Sequence, residues 1–350
     1  MTDSTNSPPL GRPTSAAAVD LLILGAGWTS LFLIPLLESH HPTITFATTT
    51  RDGRNGSIQW TFDPEKLLDP NEYKVLPEAK TVLITFPIKE QNASRNLVET
   101  FERVKCRGNQ VRWIQLGSTG IWDGSPTLVA QSKTSQPPAY TSTTTTENPE
   151  KENVHDNKFK WIDRHSPYDV TNPRAIAEDE LLSVHSNTFV LNLAGLWGGE
   201  RDPSNWIGRI ASSKQALEVK GSLHLIHGLD VARAIVAVHL STTNRDDDHD
   251  HDKVVGKKGE RYLLTDLRVI DWWDLASRYC NNNPNNLSTS STTKGLDSGP
   301  FEWVQELIEE HAVRGLPRSA QELGRALDSR EFWSTFKLTP IRASYEKGRL

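Results

Sequence analysis

Residues 21–37 read LLILGAGWTSLFLIPLL, two apolar runs parted by Gly25-Ala26-Gly27. A short apolar run stopped by glycine predicts a buried strand over Asp20–Leu24, and the pattern that follows predicts a helix over Trp28–Ser39. Strand, glycine turn and helix together form a place where backbone can meet a phosphate. The first glycine permits the tight turn, and the second removes the side chain that would hold a ligand away. Helix amides at Trp28, Thr29 and Ser30 then face its charge. The third small position of Gly-x-Gly-x-x-Gly is Ser30, still compact enough for helix to lie on strand. A plain glycine turn has the same local pattern, so the surrounding chain has to decide. Pro35 removes one helical hydrogen bond and bends the helix.

Working outward, Thr43–Thr48 (TITFAT) alternates as a strand does, and Ser57–Phe62, Thr81–Phe86, Val111–Leu116 and Thr188–Leu193 read as further short strands. Between them, Asn92–Val104 carries Leu97, Val98, Phe101 and Val104 at helical spacing. Strand and helix alternate in units of about 30 residues, which βαβ crossovers require. The expected fold is α/β: a Rossmann-type doubly wound parallel sheet, with a smaller C-terminal α/β lobe. The division expected is a nucleotide-binding part over 20–195, then remaining sheet elements and a substrate lobe over 196–350. Residues 1–19, rich in Ser, Thr, Pro and Ala, read as a disordered tail. The polar, aperiodic segments 131–157, 241–258 and 281–299 read as surface insertions.

The end of the second strand refines the ligand. An NAD site usually carries an acid there for the ribose 2′-hydroxyl, whereas this strand ends in Thr48-Thr49-Thr50 followed by Arg51 and, after Gly53, Arg54. A guanidinium suits a 2′-phosphate. NADP(H) is the expected cofactor and NAD(H) the alternative, with Gly25, Gly27, Trp28, Thr29, Ser30 and Arg51 expected to bind it. Arg51 and Arg54 as ordinary solvated loop charges is the competing reading.

Further segments carry a family likeness. Leu116–Gly124 (LGSTGIWDG) resembles the Ser-Ser-x-x-Val-Tyr-Gly stretch after the fifth strand of extended short-chain dehydrogenase/reductases. Leu193–Gly198 (LAGLWG), His224–Ala234 (HLIHGLDVARA), Gly259–Ala276 and Ala326–Leu350 are similar to later landmarks of that family, in its order. The closest type is the atypical extended branch, with the NAD-dependent epimerase/dehydratases as wider kin. The resemblance implies a catalytic Ser118, an adenine contact at Asp63, and Phe86 and Pro87 beside the cofactor. Ser118 as a turn residue, Asp63 as a cap and Phe86 as core are the plainer roles.

The family's chemistry uses a tyrosine hydroxyl activated by a lysine four residues later, because a nearby cation favours phenolate. None of the six tyrosines here has that lysine: four residues on stand Pro77, Thr144, Asn172, Asp266, Asn283 and Arg349. At the expected place Arg174 and Glu178 sit four apart, which reads as an exposed helix pair. Tyr168 is the nearest tyrosine and a candidate proton donor from a loop. Trp122 and Trp197 stand where the family has tyrosines, and with Trp28 they are expected either to wall an apolar slot or to pack in the core. Two functional classes follow. One is an NADP(H)-dependent oxidoreductase or epimerase-like enzyme acting on a small molecule. The other is a non-catalytic, NmrA-like dinucleotide sensor.

Bulk properties narrow the rest. The chain has 350 residues and a net charge of -5, which argues against nucleic acid as partner. No apolar run is long enough for a membrane span. Cys106 and Cys280, far apart, match neither a disulfide framework nor a metal site, so a soluble cytoplasmic protein is expected. The acidic run DDDHDHD at 246–252 reads as solvated loop rather than a metal site. His224 and His227 read as structural, and Asp271-Trp272-Trp273-Asp274 reads as a helix start. Neither a Gly-x-x-x-x-Gly-Lys-Ser/Thr loop nor a Gly-x-Ser-x-Gly elbow is present.

Overall fold

The computed structural model describes residues 17–106, 110–134, 159–241, 259–280 and 299–343. Its strands are β1 (Val19–Leu24), β2 (Phe46–Thr50), β3 (Ile58–Gln59), β4 (Ala79–Ile84), β5 (Arg112–Ser118), β6 (Thr188–Leu193), β7 (Gly195–Trp197), β8 (Ser222–Leu223), β9 (Leu225–His227), β10 (Glu260–Leu264) and β11 (Ile270–Asp271). Its helices are α1 (Ser30–His40), α2 (Pro70–Tyr73), α3 (Ala93–Lys105), α4 (Pro126–Thr134), α5 (Pro173–Val184), α6 (Ser204–Ile210), α7 (Lys214–Glu218), α8 (Gly228–Leu240), α9 (Trp272–Cys280), α10 (Pro300–Glu310) and α11 (Arg330–Thr335).

Seven strands form one sheet in the order β10-β6-β5-β4-β1-β2-β3, and every neighbouring pair is parallel. The chain grows outward from β1 to β3, returns to β4 on the other side of β1, and grows outward again. This is the doubly wound Rossmann-type α/β fold expected, with the reversal between β1 and β4. Both faces are covered. Leu21 and Ile23 join a buried cluster with Leu33 and Leu37 of α1 and with Val231 and Ile235 of α8. Leu22 and Leu24 point the other way, into a cluster with Leu97 and Phe101 of α3 and Leu181 of α5. The period of two along β1, with neither face wet, is why that strand is a continuous apolar run.

Two boundaries differ from expectation in ways that matter. β2 begins at Phe46 and runs through Thr48-Thr49-Thr50. The threonines are β-branched and extend the strand, and Thr49 is buried with its hydroxyl accepting the Gly25 amide at 2.9 Å. α1 begins at Ser30 rather than Trp28. Gln131, read as the start of a polar insertion, lies in α4. Most of the three expected insertions and residues 1–16 of the expected tail lie outside the described residues. Val19 opens β1.

Beyond the sheet, Ile207, Leu217, Trp272, Trp273, Val304 and Leu307 form a separate buried cluster from α6, α7, α9 and α10. Asp271 starts α9 as expected, accepting the Trp273 amide at 2.9 Å while Arg318 pairs with it at 2.7 Å. No helix among the described residues is long and apolar enough to cross a membrane. Among the same residues no group of three or more His, Cys, Asp or Glu is arranged to hold a metal ion.

Candidate functional site

The carboxyl ends of β1, β2, β4, β5 and β6 open into a cleft of about 710 Å³. Its floor is the glycine turn, Gly25 to Thr29. Gly25 has φ +87°, and a Cβ there would stand 2.9 Å from the Thr85 hydroxyl and 3.0 Å from the Phe86 ring. Only glycine fits on both counts. Gly27 is different. Among the described residues its Cβ would meet nothing closer than the Gly25 carbonyl at 4.0 Å, so no packing among them asks for glycine there. What its missing side chain preserves is open space above the turn.

Amides in the turn divide sharply. Those of Ala26 and Gly27 donate to the Thr49 and Gly25 carbonyls at 2.7 and 2.8 Å, and that of Ser30 donates to the Gly27 carbonyl at 3.1 Å. The Trp28 and Thr29 amides donate to no atom among the described residues. Of the three amides from Trp28 to Ser30 expected to face a ligand, that of Ser30 is already bonded within the turn, and two are left without an acceptor among the described residues. A tight first turn, with Leu31 and Phe32 donating three residues back, uses up the rest. The Ser30 side chain is 6% exposed and its hydroxyl has no partner among the described residues. It lies behind the turn, on a smaller hollow lined also by Ile34 and Phe46, rather than in the cleft.

One wall is aromatic. Trp60, Phe62 and Phe86 line it, with Phe62 and Phe86 rings 4.8 Å apart. At the same end Arg51 and Arg54 line the cleft beside Thr50. Arg54 lies 3.7 Å from Asp52, and Arg51 pairs with no acid among the described residues. Asp63 is not in the lining. Its carboxylate accepts the Glu65 amide at 3.1 Å and meets Lys66 at 3.9 Å, the geometry of a turn cap.

Across the sheet, Ser118 lines the cleft at the end of β5, its hydroxyl oxygen accepting the Gly120 amide at 3.1 Å. Tyr168 lies outside the lining. Its hydroxyl donates to both Asp179 oxygens at 2.8 and 3.0 Å, beneath the Arg261 guanidinium at 4.4 Å. Burial first, then that carboxylate, push the phenol above its ordinary range. Trp122 is fully buried and donates to the Ser166 carbonyl at 3.0 Å, and Trp197 packs on His227 with ring centres 4.5 Å apart. Both serve the interior, leaving Trp28 as the one of the three at the cleft. His224 and His227 are buried and bonded to backbone, His227 capping α8 through the Leu229 amide at 3.1 Å.

The Arg174–Glu178 reading needs correction. These residues do not form an exposed pair. Glu178 is 1% exposed, paired with Arg261 at 3.2 Å and bonded by the Asn192 amide at 2.8 Å. Burial raises its carboxyl against the pull of Arg261 and Asn192. Arg174, one turn earlier, enters the cleft beside Ser118. Arg201 enters from the segment after β7 and lies over the Trp28 ring at 4.7 Å, while the Trp28 indole donates to the Gly198 carbonyl at 2.9 Å. Arg201, Trp60 and Phe62 were not singled out from sequence. Arg201 follows a Gly198-Gly199 pair with φ of +106° and +61°, a turn signal that gives no hint of what the next side chain meets. Among the described residues the lining contains four arginines and no Asp, Glu, Lys, His, Tyr or Cys.

No protein-family model and no curated protein matches the chain. Solved structures do. A protein of Methylobacillus flagellatus classed with the NAD-dependent epimerase/dehydratases superposes with a TM-score of 0.51 at 13% identity, over 91% of each chain. Bordetella bronchiseptica WbmG, solved with NAD, gives 0.49 at 11% identity over 94% of this chain and 91% of its own. Yeast methylglyoxal/isovaleraldehyde reductase Gre2, solved with NADPH, gives 0.45 at 11% over 92% and 94%. At such identities the likeness is one of fold, and it is the fold of the family whose landmarks the sequence resembles.

Proposed function

We propose that the chain binds NADP(H) in this cleft. The observation that carries the reading is the pairing of Gly27, which no contact among the described residues requires, with the amides of Trp28 and Thr29, unpaired among the same residues. Two free amides at a helix start suit a pyrophosphate, and the open space above Gly27 lets it approach. The aromatic wall of Trp60, Phe62 and Phe86 suits a flat base. Arg51 and Arg54 suit a 2′-phosphate, Arg51 being the one without an acid partner among the described residues, since Arg54 lies 3.7 Å from Asp52. The fold shared with an NAD-dependent epimerase/dehydratase supports a dinucleotide in general.

Bound there, a nicotinamide ring would supply or accept hydride. Turnover also needs a group that exchanges a proton near neutral pH. Among the described residues the polar side chains of the lining are hydroxyls, guanidiniums and indoles, and Tyr168 is held by Asp179 elsewhere. This favours the non-catalytic, sensor-like reading. Ser118 supports the second reading, an oxidoreductase or epimerase-like enzyme, because it lines the cleft with a hydroxyl of the kind that polarises a carbonyl.

Titration with NADPH and NADH, followed by nucleotide fluorescence, tests the proposal. NADPH should bind at least about tenfold more tightly, and Arg51→Ala should remove most of the difference. Absence of binding by either nucleotide rejects the reading. A screen of carbonyl compounds with bound NADPH separates the two classes: turnover lost in Ser118→Ala selects the enzyme.

A further inference from the structure

Among the described residues, every buried or half-buried arginine but one has an acid or a close backbone carbonyl as partner. Arg112 donates to the Val238 and His239 carbonyls at 2.6 and 2.9 Å. Arg164 pairs with Glu260 at 2.6 Å, Arg261 with Glu178 at 3.2 Å, Arg318 with Asp271 at 2.7 Å and Arg325 with Asp123 at 2.9 Å. Arg174 is the exception. Its one hydrogen bond is a marginal 3.5 Å approach to the Leu116 carbonyl, and it forms no ion pair among the described residues, although the Glu178 charge one turn along acts on it. The acid one turn along α5, Glu178, is committed to Arg261 and Asn192. Arg174 also stands in the first turn of α5, where the helix dipole is already positive and a cation is opposed rather than favoured. Two positive contributions, Arg174 and the start of α5, face the cleft with no acid in pairing distance among the described residues, and a second guanidinium, Arg201, lines the same space with no acid partner among them.

We infer that the β5 end of the cleft takes a second ligand, a small molecule bearing a carboxylate or phosphate, with Arg174 gripping the oxyanion and Arg201 adding to the field that draws it in. This end is distinct from the Arg51 end. β4 and β1 lie between β5 and β2, about 14 Å of sheet. Ser118 stands at the same end, so the remainder of the molecule is read by a hydroxyl. A guanidinium fork matches either oxyanion bidentately. The inference rests on the dinucleotide reading only in taking the remainder of the cleft as the cofactor's share.

Calorimetry on the full chain tests it, with and without saturating NADP+, using inorganic phosphate, pyruvate and the neutral methyl pyruvate as probes. Phosphate or pyruvate should bind saturably in the millimolar range, and whichever binds names the oxyanion. Arg174→Gln should weaken that binding about tenfold or more, Arg174→Lys should restore part of it, and NADPH affinity should stay within about twofold. The inference falls if neither anion binds, if methyl pyruvate binds as well as pyruvate, if Arg174→Gln leaves anion affinity unchanged, or if its effect falls on NADPH instead. Arg174-dependent anion binding in a protein that ignores NADP+ would reject the dinucleotide reading and keep this one. NADP+ binding without anion binding would do the reverse.

Discussion

At the scale of single residues, Gly25 and Gly27 occupy one turn for unrelated reasons. Gly25 serves the fold: a left-handed φ and a Cβ position 2.9 Å from Thr85 leave no room for a side chain. Gly25→Ala should therefore lower unfolding free energy by about 1–3 kcal/mol in denaturant titration. Gly27 has open space in front of it. Gly27→Val should leave stability within about 0.5 kcal/mol and abolish detectable NADPH binding. If both substitutions destabilise equally, the assignment of Gly27 to a ligand fails. The two glycines look alike as letters, since the pattern says that a turn is present and not which atoms crowd each Cα.

The element that departs most from its sequence reading is α5. Its start is set locally: Asn172 caps through the Arg174 amide at 3.0 Å and Pro173 takes the first position, where no donor is needed. Its faces were not. Charged residues four apart normally signal a wet face, yet Glu178 lies against the sheet because Arg261 on β10 and Asn192 on β6 receive it. Both partners come from later in the chain, at separations of 83 and 14 residues. Removing the cation alone should be costly, since a buried carboxylate would lose its counter-charge. Arg261→Met should destabilise by about 3–5 kcal/mol, and adding Glu178→Gln should recover a good part of that in the same denaturation assay.

At the scale of the whole molecule, His224 ties three segments together. It is 3% exposed, and its ring lies between the Arg268 carbonyl at 3.0 Å and the Leu327 amide at 3.3 Å. Accepting from Leu327 requires one ring nitrogen without a proton, so the folded state keeps the ring neutral. Burial, the largest cause, holds its pKa down to about 4. The unfolded chain takes up that proton near the ordinary value of 6.5, so the stabilisation is complete above it and drains away as pH falls toward 4. Asp266 runs the other way. Burial lifts it to about 7, so its contribution is lost as pH rises through that value. The difference in stability between wild type and His224→Gln should therefore shrink between pH 6.5 and 4, on the order of 3 kcal/mol if the full shift is expressed. A difference independent of pH would place the proton elsewhere. NADP+ at a hundred times its Kd should add about 2.7 kcal/mol, read as a rise in Tm.

The amino-acid sequence by itself determined the sheet. Apolar runs closed by glycine, helices at 3.6-residue spacing and βαβ lengths are local properties, and the cradle at Gly25–Ser30 lies within one such unit. Tertiary structure alone decided what the cleft contains. Arg174, Arg201, Ser118 and the aromatic wall meet there because strands distant in the chain are neighbours in the sheet, and Tyr168 is kept out by its bond to Asp179. Spacing along a chain fixes which face a side chain takes, but only packing across the sheet decides whether that face meets water, protein or a ligand.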